Sequence, residues 1–135
     1  MPPLKPNYAD NTIVNLIQSI YEKFGLSSNL KNTMGLRIFK NNQDQLKDRI
    51  ILIVVDGAGD SFYKRYKEEL GLNDWYLGHI HSVYPSTTAS SITSILTGLT
   101  PLEHGIPGWH TYFRDTASVV NILPFKQRFS FNNNN

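Results

Sequence analysis

Two groups of residues in this sequence have types and positions that could do chemistry on a phosphate ester. Asp56 directly follows the apolar run "IILIVV" (residues 50–55), and the run "PSTTASS" (residues 85–91) opens a stretch in which apolar residues recur at helical spacing. A carboxylate can bind a metal ion, which lowers the pKa of a threonine hydroxyl and makes it a better nucleophile. The free N–H groups at the start of a helix favour an anion, phosphate above all. A hydroxyl in that position is therefore a candidate for attack on phosphorus.

Each group also has a simpler structural interpretation, which the residues alone leave open. An aspartate after a strand is more often a turn or capping residue, and hydroxyl groups before a helix are usually N-caps. The histidines offer no third group. His104 and His110 lie in a loop rich in glycine and proline, where a surface hydrogen bond is the expected role, and His79 and His81 share a strand face without an acidic residue nearby in sequence. We therefore leave all four histidines out of the predicted site.

The elements that must position these groups follow an α/β pattern. The run 50–55 has no polar alternation, which is typical of a parallel strand buried on both faces. Apolar spacing and capping residues predict two more strands, over 79–84 and 119–123, and three helices, over 11–24, about 61–70 and 88–98. This order predicts a mostly parallel sheet flanked by helices, in a domain that is incomplete. Ligands bind at the carboxyl ends of such strands, so Asp56 and Thr88 are expected at one edge of the sheet.

The composition is that of one globular domain. The chain has 135 residues, of which 40% are hydrophobic and 18% are charged. Its net charge of +2 argues against nucleic acid as a partner, and the absence of cysteine excludes disulfides and thiolate metal sites. No apolar run reaches the ~18 residues of a membrane span and no signal sequence is evident, so the default expectation is a cytoplasmic protein. We assign residues 1–130 to the domain, predict a loop or weak strand over 27–47, and expect the polar tail 131–135 to be disordered.

Three sequence blocks, taken in order, resemble a known enzyme family. The blocks "ILIVVDGAG", "YPSTTASSITSILTGLTP" and "EHGIPGW" are similar to the opening blocks of the alkaline phosphatase superfamily, specifically its type I phosphodiesterase and nucleotide pyrophosphatase branch. The resemblance runs from about Arg49 to Trp109 and implies an alkaline-phosphatase-like α/β/α sandwich, of which this chain is the N-terminal portion. It implies that Asp56 is a metal ligand and that Thr88 is both a metal ligand and the nucleophile. It also implies two divalent ions, expected to be Zn²⁺, which clamp the attacking and leaving oxygens.

The resemblance predicts a metal-dependent hydrolase of small-molecule phosphoesters, and it leaves the choice between monoesters and diesters, and the oligomeric state, open. A substrate-contacting asparagine of the family is replaced by Trp109, which becomes the candidate substrate-binding residue. The remaining metal ligands of the family lie far downstream, and no such set follows Trp109, so this chain is expected to hold part of the site and to be inactive alone. The alternative is a non-catalytic remnant or phosphate-binding module of the same fold.

Overall fold

The computed structural model describes residues 5–26 and 48–129. Within these ranges lie four α-helices, one short 3₁₀ helix (Asn73–Trp75) and three strands. The predicted loop or weak strand over 27–47 and the predicted tail 131–135 lie outside the described residues. The elements in chain order are α1 (Ile13–Lys23), α2 (Asp60–Tyr66), α3 (Thr88–Thr97), α4 (Pro101–His104), β1 (His110–Phe113), β2 (Ser118–Asn121) and β3 (Lys126–Phe129).

Helix α1 confirms the helix predicted over 11–24. Its N-cap is Thr12, whose hydroxyl accepts a hydrogen bond from the backbone N–H of Asn15 at 3.4 Å. The Asn15 side chain accepts one in return from the Thr12 N–H at 2.9 Å, so two of the backbone donors at the helix start are satisfied. The apolar face of the helix buries Val14 and Ile17.

Helices α1 and α3 pack closely because a glycine lies at their contact. Gly98 ends α3 in the left-handed conformation, with φ of +69°. A Cβ added to Gly98 would stand 2.8 Å from Cε2 of Tyr21 on α1. The Gly98 carbonyl accepts a hydrogen bond from the Gln18 side chain at 3.0 Å. Position 98 therefore requires glycine for its backbone conformation and for the space between the helices.

The predicted mostly parallel sheet, and with it the α/β/α sandwich, is not found among the described residues. Their sheet is antiparallel, with the order β1-β2-β3, and it lies at the C-terminal end of the described chain. The strand predicted over 119–123 is present as β2, which pairs with β1 (His110 opposite Asn121) and, through a bulge between Val119 and Val120, with β3. The fold is thus mixed α and β, as expected, but the direction of the strands was predicted wrongly.

The prediction of a buried central strand over 50–55 is also wrong for this structure. These residues form no strand, and no backbone hydrogen bond among those described within 48–129 involves them. Their side chains are exposed in alternation, with Ile51 and Ile53 at 87% and 79% and Leu52 and Val54 at 41% and 48%. The alternation is that of an extended chain, but a strand needs neighbours for its N–H and C=O groups, and the described residues supply none.

The strand predicted over 79–84 is reduced to a single parallel bridge between His81 and Thr12. The His81 N–H donates to the Asn11 carbonyl at 2.9 Å, and the His81 carbonyl accepts from the Ile13 N–H at 3.0 Å. The bridge joins the start of α1 to the segment that leads into α3. No helix within the described ranges is long and apolar enough to cross a membrane.

Candidate functional site

The start of α3 carries one threonine that caps the helix and a second that is available for another role. Thr87 is the N-cap, and its hydroxyl accepts a hydrogen bond from the Ser90 N–H at 3.2 Å. Thr88 is the first helical residue and is half-buried. Its hydroxyl donates instead to Oδ2 of Asp56, at a distance of 3.4 Å. The crowding of hydroxyls before α3 is therefore explained only in part by capping.

Most of the other hydroxyls of α3 form hydrogen bonds within the helix or to residues that surround it. Ser91 pairs with Ser82 through their hydroxyls at 2.9 Å, and Thr93 donates to the Ala89 carbonyl at 2.8 Å. Ser90 is fully buried, and its hydroxyl is the one buried side-chain polar atom among the described residues that lacks a hydrogen-bond partner. These contacts leave Thr88 as the hydroxyl of this segment that lies against a carboxylate.

Asp56 reaches Thr88 from the end of the extended run 50–55. Gly57 follows it with φ of +77°, a conformation that L-residues rarely adopt and that turns the chain immediately after the aspartate. Asp56 is exposed, and it lies 32 residues from Thr88 in the chain. The two residues that the sequence singled out are thus brought together, even though the parallel sheet expected to place them is not found among the described residues.

The two oxygen atoms fit the ligand geometry of one divalent cation. Neighbouring oxygen ligands of a tetrahedral zinc ion, each about 2.0–2.2 Å from the metal, lie about 3.3–3.6 Å apart. Oδ2 of Asp56 and Oγ1 of Thr88 are 3.4 Å apart, and both are hard donors that suit such an ion. The part of the chain that is described contains no group of three or more metal-binding side chains, so these two oxygens have no further candidate ligands grouped around them there.

An open cleft of about 740 Å³ lies beside this pair. Its walls are largely apolar, from the segment 52–55, from α1 and α3, and from the segment 75–80, while Asp56, Ser86 and Thr88 bring oxygen atoms to its lining. This volume lies within the range of about 300–1,000 Å³ that is typical of small-molecule sites. The pair thus has adjacent space for a substrate of that size.

Trp109, the candidate substrate-binding residue, is not part of the cleft lining. It is exposed to 48% and immediately precedes β1, where its carbonyl accepts a hydrogen bond from the Ile122 N–H at 3.0 Å. The loop before it does reach the site, because the Pro107 carbonyl accepts a hydrogen bond from the Thr87 hydroxyl at 3.4 Å. Trp109 therefore does not line the cleft beside Asp56 and Thr88, and its role in substrate binding stays a prediction.

His104, which the sequence analysis left out of the site, is half-buried against α3. Its Nε2 lies 3.0 Å from the Ser94 hydroxyl, and its Nδ1 accepts a hydrogen bond from the Ile106 N–H at 3.0 Å. Burial lowers the pKa of His104, and this outweighs the opposing effects of hydrogen bonds and of Glu103. The sequence signal for this position was available in "TPLEH": Thr100 and Glu103 form a capping box around Pro101 and so set the helix turn that ends at His104.

The other three histidines lie in different surroundings. His79 lines the cleft, and its ring centroid is 6.0 Å from that of His81. His110 pairs with Asn121 across β1 and β2, with 2.7 Å between Nδ1 and Oδ1. Within the described chain, none of the three forms a hydrogen bond with Asp56 or Thr88.

Asp60, a second aspartate that lines the cleft, is bound to two neighbouring side chains. Asp60 accepts a hydrogen bond from the Tyr76 hydroxyl at 3.0 Å and forms an ion pair with Lys64 at 2.6 Å. The hydrogen bond from Lys64 contributes most to lowering the pKa of Asp60. The ring of Tyr76 stacks on Tyr63 at 4.7 Å, so this cluster fastens the 75–80 wall of the cleft to α2.

The chain matches the model of a known protein family. A family model described as type I phosphodiesterase / nucleotide pyrophosphatase matches residues 50–128, which is more than half of the chain and includes Asp56 and Thr88. No curated protein and no solved structure matches the chain.

Proposed function

Because the chain belongs to the type I phosphodiesterase/nucleotide pyrophosphatase family, we propose that it carries the nucleophile-bearing part of a metal-dependent phosphoester hydrolase. In this proposal Thr88 is the nucleophile, and Asp56 and Thr88 would hold a divalent cation, expected to be one of two zinc ions. The observation that supports this most is the 3.4 Å contact between Asp56 Oδ2 and Thr88 Oγ1, which joins a carboxylate and a hydroxyl at the start of a helix. Capping by Thr87 explains why the Thr88 hydroxyl is left for this role.

Asp56, Thr88 and the backbone at the start of α3 have different roles in the proposed phosphoryl transfer. Asp56 accepts the hydrogen bond of the Thr88 hydroxyl, so the threonine oxygen keeps a lone pair directed away from the carboxylate. The first turn of α3 offers backbone N–H groups and the positive end of the helix dipole to a phosphate. A bound divalent cation supplies Lewis acidity, which lowers the pKa of a coordinated hydroxyl.

The reaction proceeds in two displacements at phosphorus. The Thr88 hydroxyl loses its proton as its oxygen forms a bond to phosphorus, the bond from phosphorus to the leaving oxygen breaks, and the leaving oxygen takes up one proton and departs as an alcohol. Water then attacks the phosphothreonine, which restores the Thr88 hydroxyl and releases the phosphate product. The substrate is a small-molecule phosphoester, and the apolar lining of the adjacent cleft accommodates its organic group.

A phosphate-binding module without turnover is the second candidate. It is favoured by one observation, which is that the described residues offer no group of three metal-binding side chains. In that case the start of α3 binds phosphate, and Asp56 serves as a hydrogen-bond acceptor for Thr88. The two candidates differ in whether zinc binds at Asp56.

Zinc titration of the full chain by calorimetry tests the metal ligands. We expect the wild-type chain to bind Zn²⁺ weakly and the Asp56→Asn variant to bind it at least about tenfold more weakly, because a neutral amide is a poorer ligand for the cation. Asp115→Asn, at an exposed aspartate within the region of the family match, is the matched control and should leave the affinity unchanged. Equal affinity in the wild type and Asp56→Asn would remove Asp56 as a ligand.

Hydrolysis of a chromogenic phosphomonoester and phosphodiester tests the nucleophile. The 135-residue chain alone is expected to give no measurable turnover, because two ligands do not make a two-metal clamp. Robust hydrolysis that is lost in Thr88→Ala would show that this chain holds a complete site. Hydrolysis that persists in Thr88→Ala would show that Thr88 is not the nucleophile.

A further inference from the structure

We propose that His104 is a positioning residue that holds the loop 105–108 against α3 and thereby fixes the cap from which Thr88 projects, a role that rests on the function proposed above. The imidazole of His104 contacts α3 through Ser94 and the loop through Ile106. The same loop contacts the start of α3, where Pro107 accepts the hydrogen bond of Thr87. Among the described residues, His104 forms no hydrogen bond with Asp56 or Thr88, so we infer that it acts through these neighbours.

The hydrogen bonds define the protonation state that this role requires. Nδ1 accepts a hydrogen bond from the Ile106 N–H, so it carries no proton. The proton of the neutral ring is therefore on Nε2, which donates to the Ser94 hydroxyl. A doubly protonated ring would place its Nδ1–H against the Ile106 N–H, and the contact between the ring and the loop would be lost.

The contacts of His104 and of Pro107 attach the loop 105–108 to α3 at two positions along the helix. Thr87 and Ser94 are seven residues apart in the same helix, which is about two turns or 10 Å. The loop spans this distance on the outside, attached at Thr87 through Pro107 and at Ser94 through the histidine ring. Ile106 is buried between these two attachments, so apolar packing and hydrogen bonds act on the same loop. Release of the ring removes one of the two polar attachments.

The surroundings keep the ring neutral at neutral pH. Burial lowers the pKa of His104 and outweighs the opposing effects of hydrogen bonds to the backbone of Ser90 and of His104 itself and of the charge on Glu103. Neither α3 ("TASSITSILT") nor the loop ("GIPG") contains a charged or titratable residue that faces the ring. Protonation is therefore governed by burial, and it should release the loop only when the pH falls below the ordinary histidine value of 6.5.

Nuclear magnetic resonance of the ¹⁵N-labelled full chain tests the contact itself. We expect the His104 ring to show the Nε2–H tautomer, and the Ile106 amide to exchange about 2- to 10-fold faster with solvent in His104→Ala, as loss of one hydrogen bond predicts. The amides of Ser90 and Ser91, in the first turn of α3, should also exchange faster. His110→Ala, at an exposed histidine in the hairpin, is the matched control and should change none of these rates.

A second set of variants separates positioning from general stability. His104→Asn retains an acceptor near the position of Nδ1 and should restore protection of Ile106, whereas His104→Gln should not. In the wild type the Ser90 amide shift should follow the titration of His104, and in His104→Asn it should not change with pH. If His104→Ala does not fold by circular dichroism, the comparison of Asn with Gln and the pH titration decide.

Zinc affinity connects the contact to the site. We expect His104→Ala to weaken Zn²⁺ binding by about 2- to 10-fold and His104→Asn to restore it. Unchanged Ser90 exchange and zinc affinity in a folded His104→Ala variant would overturn the proposal. If the wild type binds no zinc while the exchange results are as expected, the proposed metal site fails and the contact of His104 with the α3 start stands.

Discussion

The two adjacent threonines at the start of α3 should respond to substitution in opposite ways. Thr87 accepts the capping hydrogen bond from the Ser90 N–H, whereas among the described residues the Thr88 hydroxyl bonds only to the exposed carboxylate of Asp56, at 3.4 Å. Loss of an N-cap costs about 1 kcal/mol, with a range of about 0.5–2. A long hydrogen bond at an exposed position contributes a few tenths of a kcal/mol. Thr87→Ala should therefore destabilise the fold, and Thr88→Ala should do so very little.

Thermal unfolding followed by circular dichroism at 222 nm measures this difference. About 1 kcal/mol corresponds to a shift of about 4–8 °C in Tm for a domain of 60–100 residues and to less for a larger one. We expect Thr87→Ala to lower Tm by several degrees and Thr88→Ala to leave it within about 2 °C of the wild type. Thr87→Ser, which keeps the capping oxygen, is the control and should retain the wild-type Tm.

The functional readout should show the reverse order. Zinc binding should be weakened in Thr88→Ala and largely kept in Thr87→Ser, because only the former loses the proposed ligand oxygen. Equal losses of Tm in Thr87→Ala and Thr88→Ala would show that Thr88 is a structural residue of the helix start. Zinc affinity that is unchanged in Thr88→Ala would remove it from the metal site and refute the reasoning that assigns different roles to the two hydroxyls.

Three further predictions concern the packing of α3. Gly98→Ala should destabilise the fold by at least about 1 kcal/mol, because the new Cβ would lie 2.8 Å from Tyr21 and the backbone is left-handed. A urea unfolding midpoint equal to that of the wild type would contradict the contact between α1 and α3. Ser90→Ala should be neutral or stabilising by up to about 1 kcal/mol, because it removes a buried hydroxyl without a described partner. A clear loss of stability in the same urea experiment would reveal a hydrogen bond at this hydroxyl. The folded state lowers the pKa of His104, so protons bind the unfolded chain more tightly. The contribution of His104 to stability should therefore be complete above the ordinary pKa of 6.5 and decrease as the pH falls below it. Urea unfolding at several pH values checks this, because His104→Asn should lose less stability at acid pH than the wild type.

The sequence alone determined the features whose causes are local. Thr12 and Thr87 cap α1 and α3 with their own hydroxyls, and Gly98 ends α3 in a left-handed conformation, so these boundaries could be predicted to within a few residues. The candidate pair of Asp56 and Thr88 was also predicted from the residues and from the family resemblance, and the structure brings their oxygens to 3.4 Å. The role of each in a reaction remains a prediction.

The arrangement of the strands was decided by tertiary structure. The apolar run 50–55 predicts a buried strand only if other strands and helices cover it, and within the described chain its residues have no strand neighbours. The two hairpins within 110–129 turn at Ala117 and Phe125, whose φ angles are 46° and 48°. Such positive φ angles usually occur at glycine or asparagine, so the sequence gives no signal for these turns. The wrong prediction of a buried strand over 50–55 and the wrong prediction of strand direction have the same origin. Strand pairing depends on partners that are distant in the sequence, or on turns without a characteristic composition.

The place of His104 was likewise decided by tertiary structure. Its sequence context, a loop rich in glycine and proline, predicted a surface hydrogen bond, whereas the fold packs its ring between Ser94 and Ile106. Burial and the choice of proton-bearing nitrogen follow from which groups surround the imidazole, and those groups come from α3 and from the loop. Local sequence determines where a helix begins and ends, while the neighbours that a side chain meets are set when the elements pack together.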